Sequence, residues 1–175
     1  MNSIEFYKSF YDRELKRRFD LDNALNIPIG LIAILIALAS YIISNLQFLE
    51  CIHIDWIITI MTVISVGFIL LAIYYLSITY NNVFKGHAYL NFKNASEIRK
   101  FQLELESYNT NQTEEKDKIE FENKFIEKLN SYTDSHIQIN DFRQKKLRNA
   151  KSAIIASLFL LLIALILVVI KKYLL

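Results

Sequence analysis

The sequence predicts an all-α membrane protein with three transmembrane helices and a helical cytoplasmic region, the last helix running continuously from cytoplasm into membrane. Three observations predict it. The 175-residue chain is 53% hydrophobic but carries a formal net charge of only +2, so the apolar surplus has to be concentrated. Ile27 to Leu49, Trp56 to Phe84 and Ser152 to Ile170 contain no charged residue. A hydrocarbon core of about 30 Å needs roughly 20 helical residues to cross it, and each window is long enough. Finally, neither Gly nor Pro occurs between Gly86 and the end of the sequence, so helices can run long there. A soluble bundle is the competing reading. Its buried helices would still show a polar stripe, and the last window shows none.

The chain divides on this basis into four parts. Residues 1–26 form an amphipathic helix, with Ile4, Tyr7, Tyr11 and Leu15 on one stripe, and residues 27–79 form a two-helix hairpin spanning near 27–45 and 56–79. Asn26 and Pro28 suit a capped helix start, so the chain is expected to bend there. The acids and bases mixed through the first 26 residues do not fit a cleavable signal sequence. Residues 80–152 form the cytoplasmic region. Asn94 with Glu97 reads as a capping box for a helix bearing Ile98, Phe101 and Leu105, and the polar run from Ser107 reads as a turn. Phe121, Phe125, Leu129 and Tyr132 mark a second helix. A third begins near Thr133 or Asp134 and continues through residues 153–175, the last span and its tail, over roughly 55 Å.

Orientation follows Lys and Arg in the flanking segments, which stay on the cytoplasmic side. Arg13, Lys16, Arg17 and Arg18 precede the first span, while the connection to the second has Glu50 and Asp55 and no base. Lys85, Lys93, Arg99 and Lys100 follow the second span, and Arg143, Lys145, Lys146, Arg148 and Lys151 precede the third. The expectation is N-terminus inside and C-terminus outside. Lys171 and Lys172 oppose it, but they can snorkel at the far end.

Cys51 is the single cysteine, so no internal disulfide forms. The three His are scattered without metal-ligand spacing, the three Gly make no phosphate loop, and the acids Glu114, Glu115 and Asp117 read as a solvated run. No catalytic residue, metal or cofactor is expected, and the chain reads as a non-enzyme. Residues 80–152 hold 13 Lys and Arg against 11 Asp and Glu, too balanced for nonspecific nucleic-acid binding.

Two groups remain. Thr59, Thr62 and Ser65 recur at i, i+3, i+6 on the second span, with Ser40 and Ser44 on the first. They either bond within and between helices or form the weakly polar wall of a pore. Absence of ionisable residues from the windows argues against a proton-coupled carrier. The second group is Arg143, Lys145, Lys146 and Arg148 with Phe142 alongside, joined by Arg17 and Arg18. These bases anchor the chain to anionic headgroups, and gathered in an oligomer they would also suit a phosphate-bearing ligand or a short single strand. Apolar stripes on so thin a cytoplasmic core predict a homo-oligomer, with the bilayer as the other partner.

The layout DRELKRRFDLDNALNIPIG leading into two spans, a charged helical middle, then NDFRQKKLRNAK entering a last span resembles the SLATT-like membrane effectors of bacterial anti-phage defence. It is most similar to those of the Hailong type, and the likeness covers most of the chain. The resemblance implies an oligomeric pore in the bacterial inner membrane that depolarises the infected cell. It also implies control by a nucleotide or short single-stranded DNA signal made by a partner nucleotidyltransferase.

Overall fold

The computed structural model describes residues 3–46, 52–80, 88–92, 94–112 and 120–174. Five helices account for almost all of them: α1 (Ser3–Asn23), α2 (Asn26–Ser44), α3 (Ile52–Thr79), α4 (Ala95–Thr110) and α5 (Phe121–Leu174). No strand occurs among the described residues. Three helical stretches are long and apolar enough to cross a membrane, as the charge-free windows require.

Local chemistry differs from expectation at three helix boundaries. Thr133 begins no helix: its hydroxyl bonds the Leu129 carbonyl at 2.7 Å, which is how a mid-helix Thr satisfies itself. The last helix therefore starts at Phe121 and continues for 54 residues, roughly 80 Å at 1.5 Å per residue. Asn26 is the first residue of α2 rather than its cap. Leu25 occupies the cap position in right-handed helical conformation and makes no side-chain bond. The α1–α2 interruption is confined to Ala24 and Leu25. Pro28 has no N–H to give the Ala24 carbonyl, so the helical ladder loses a rung there. Asn94 does cap α4, its carbonyl accepting from the Glu97 and Ile98 amides at 2.8 and 3.2 Å, but its side chain makes no capping bond.

The chain divides into two compact units, residues 1–19 with 86–141, and residues 20–85 with 142–175. The first is held by aromatic contacts. Phe92 lies 5.4 Å from Tyr11, 5.2 Å from Phe125 and 5.0 Å from Tyr132, centroid to centroid. Leu129 and Ile139 are buried there, whereas α4 buries no residue.

The second unit holds the three apolar stretches, and its burial pattern is regular. Buried positions follow one another by alternating steps of four and three along each helix. In α2 they run Pro28, Ile32, Leu35, Ala39, Ile42, and in α3 Asp55, Ile58, Thr62, Ser65, Ile69, Ala72, Leu76, Thr79. Along α5 they run Arg143, Leu147, Ala150, Ile154, Ser157, Leu161, Ala164, Val168, with Ala153 buried beside Ile154. This is the heptad spacing that sets one helix's side chains into the gaps of its neighbour. Side chains between the buried positions are apolar yet exposed, among them Ile34, Val63, Leu70, Phe159 and Ile166. Lipid rather than water is the medium that can cover such a surface. Trp56 and Tyr80, near opposite ends of α3, are exposed, as interfacial aromatic anchors are.

Candidate functional site

Three polar ties join α3 to α5, and they occur in opposite order along the two helices, so the helices are antiparallel. At one end the Arg143 guanidinium is fully buried; its Nε donates to the Thr79 carbonyl at 2.9 Å and its Nη2 bonds the Asp22 carboxylate. Thr79 is the last residue of α3, so the cation also meets the negative end of that helix's dipole. Midway, the Ser65 and Ser157 hydroxyls lie 2.7 Å apart, both fully buried. At the other end the Lys171 ammonium donates to both carboxylate oxygens of Asp55, at 2.9 and 2.7 Å. The Asp55 side chain is wholly buried and that of Lys171 is 12% exposed.

The hydroxyls considered for a pore wall are engaged within the protomer. Thr59 donates to the Asp55 carbonyl at 2.7 Å, and Thr62 to the Ile58 carbonyl at 2.8 Å. Thr62 and Ser65 are buried between helices, so a water path along them requires the three-helix packing to part. Ser40 and Ser44 bond back to the Ile36 and Tyr41 carbonyls.

The basic group does not act as one patch. Arg143 faces inward as a structural tie, and its guanidinium is turned away from the surface. Lys146 is half-buried, its ammonium 5.2 Å from the Phe142 ring centroid and 5.5 Å from that of Tyr75. Both are cation–π distances. Phe142, Lys145, Arg148 and Lys151 are exposed. Arg17 and Arg18 belong to the other unit and have contacts of their own. Arg17 donates to Asp141 at 2.5 Å and to Glu14 at 3.4 Å, and Arg18 lies 4.3 Å over the Tyr89 ring.

Sequence reasoning did not single out the polar core of that first unit. Asn140, fully buried, donates to the Glu14 carbonyl at 3.0 Å and to its carboxylate at 3.1 Å, and accepts from the Tyr89 hydroxyl at 2.6 Å. His136, also fully buried, has Nε2 2.8 Å from the Leu90 carbonyl, which makes Nε2–H the donor. Its Nδ1 is buried without a partner. Burial pushes the His136 pKa below its ordinary 6.5 and so favours the neutral ring, opposed by the Leu90 bond. The available signal was spacing: Leu129, Thr133, His136, Asn140 and Arg143 extend the heptad seam of α5 beyond the apolar window. Cys51, His87, Glu114, Glu115 and Asp117 lie outside the described residues. Among the described residues no three His, Cys, Asp or Glu side chains are grouped to hold a metal ion.

An all-α chain with three membrane-length apolar helices, packed through heptad seams and tied by buried polar pairs, belongs to the multi-span membrane proteins. Comparison with family models, curated proteins and solved structures finds no match.

Proposed function

We propose that the protein is an oligomeric membrane channel, a pore-forming effector of bacterial anti-phage defence, regulated through its cytoplasmic helices by a nucleotide or short oligonucleotide. The N-terminus lies in the cytoplasm and the C-terminus outside. One observation carries this reading: α5 is unbroken for 54 residues, with exposed Lys145 and Arg148 directly ahead of the apolar stretch. A continuous helix transmits displacement of its basic segment to its span. A ligand that binds one seating of that segment more tightly therefore biases a closed or an open pore. Lys145, Lys146, Arg148 and Phe142 hold the phosphates and a base, and Arg143 fixes the helix beneath them. Neighbouring copies in a cyclic homo-oligomer supply the rest of the site, and the pore wall takes in Thr59, Thr62 and Ser65 when the bundle parts.

The test is ion flux from liposomes containing the purified protein, with and without a short oligodeoxyadenylate. Flux should change on adding the oligonucleotide, and Lys145→Glu with Lys146→Glu should abolish that change while leaving basal flux measurable. Silence under both conditions would count decisively against a channel.

A second reading, a non-catalytic scaffold that recruits a cytoplasmic partner, is favoured by one feature. A cleft of about 280 Å³ is lined by Phe92, Ile98, Phe101 and Phe125 with Lys100, Lys128, Glu97 and Glu104, an apolar floor with a charged rim. Under this reading Phe101→Ala abolishes partner capture, and no variant alters membrane potential.

A further inference from the structure

Beside the basic end of the α2–α3–α5 bundle, a groove of about 300 Å³ runs between the start of α2 and α5, with Ile27, Leu31, Ile154 and Ile155 among its walls and Lys151 completing them. Ile27, Leu31 and Ile155 are 74%, 41% and 53% exposed, so the groove opens onto the apolar face that lipid covers. Two other grooves on the same bundle, one around Ile73 and Tyr80 and one around Thr59 and Val63, have no charged residue in their walls. The Lys151 groove is different. A lysine there lays its stem on the apolar wall and lifts its ammonium to the headgroup level, and Arg148, one turn earlier on the same side of α5, adds a second exposed cation.

We infer that this groove is a binding site for a single anionic phospholipid, one acyl chain lying against Ile27, Leu31 and Ile155 and the phosphate held by Lys151. The charge decides the class. No acidic residue lines the groove, so a zwitterionic headgroup leaves the ammonium partly uncompensated whereas a net negative one neutralises it. The site shares Arg148 with the channel reading, but its tests turn on Lys151 and Leu31, which the signal does not use, and the measurement needs no conductance.

The experiment is native mass spectrometry of the full-length protein in mild detergent, titrated with phosphatidylglycerol or phosphatidylcholine. The wild type should retain phosphatidylglycerol preferentially. Lys151→Gln should weaken that retention roughly fivefold, the scale of one lysine near an anionic surface, and leave phosphatidylcholine unaffected. Leu31→Trp, which fills the groove without changing charge, should remove the bound phosphatidylglycerol, and Lys172→Gln at the far end of α5 should behave as wild type. Equal retention of the two lipids by the wild type would overturn the assignment. Unchanged phosphatidylglycerol binding in Leu31→Trp would do the same, since it reduces Lys151 to diffuse headgroup attraction. A smaller oligomer in Leu31→Trp would overturn it as well, by making a second copy the occupant.

Discussion

Asp55 and Lys171 are separated by 116 residues in sequence and joined by a bidentate bond at one end of the bundle. Each lies just beyond a charge-free window, so sequence marked them as flanking charges but carried no sign that they meet. Burying a carboxylate costs far more than leaving it at an interface, and only the paired ammonium makes the position tenable. Asp55→Leu is expected to destabilise the protein by about 3 kcal/mol, because the Lys171 ammonium loses its bidentate carboxylate in a largely buried setting. Asp55→Leu with Lys171→Leu should recover most of that loss, as read from denaturant unfolding in detergent micelles. His136 gives a second expectation. Its ring meets Tyr11 and Tyr89, and the charges acting on it are Arg18, which disfavours protonation, and Glu14, which favours it. Its folded pKa lies below 6.5, so the unfolded chain takes up the proton first. Stability is full above about pH 6.5 and declines as the pH falls from there toward the folded pKa. His136→Gln should flatten that decline in a thermal-unfolding series between roughly pH 7 and 5, and an unchanged slope would remove His136 as its source.

At the level of elements, α5 carries the architecture. A heptad of buried positions runs from Leu129 through Val168, with Ile139 and Ala153 buried beside it, crossing from a polar segment into an apolar one without losing step. Where the surroundings are watery, periodicity is visible because exposed positions are charged. Within Ser152–Ile170 the exposed positions are as apolar as the buried ones, so hydropathy cannot tell which face turns inward. Residue size can: Ala150, Ser157 and Ala164 recur every seventh position and are fully buried, the small residues that allow helices in lipid to approach closely. Ala164→Leu should therefore cost about 1–3 kcal/mol by overpacking, measured as a lowered Tm in detergent. Leu162→Ala on the exposed face should be close to neutral. The boundary at residue 133 is a case of polar residues misleading: Thr133 and Asp134 resemble a helix start on paper but lie about three turns inside an unbroken helix.

For the molecule as a whole, the apolar helices establish a membrane protein, and the charge distribution proposes its orientation. Cys51→Ser with His53→Cys, an exposed position in the first turn of α3, puts one thiol beside the connection between the first two spans. A membrane-impermeant maleimide should label it in intact spheroplasts. Labelling only after lysis would invert the topology and move the basic cluster outside. The two units also divide the functional question. Residues 142–151 lie in the unit that contains the spans, while Arg17 and Arg18 lie in the other, so the seven side chains grouped from sequence come from two separately packed bodies.

The number of spans and their approximate limits were determined by composition alone, because charge is excluded from a hydrocarbon layer whatever the protein's partners are. The run of the last helix from polar segment into membrane was equally legible, since it contains neither Gly nor Pro; its start at Phe121 was not. Tertiary structure decided which polar groups are committed: it turned Arg143 inward to Asp22 and the end of α3, closed Ser65 onto Ser157, and brought Lys171 to Asp55. Such choices depend on which faces of distant helices meet, a property of packing that no local window contains.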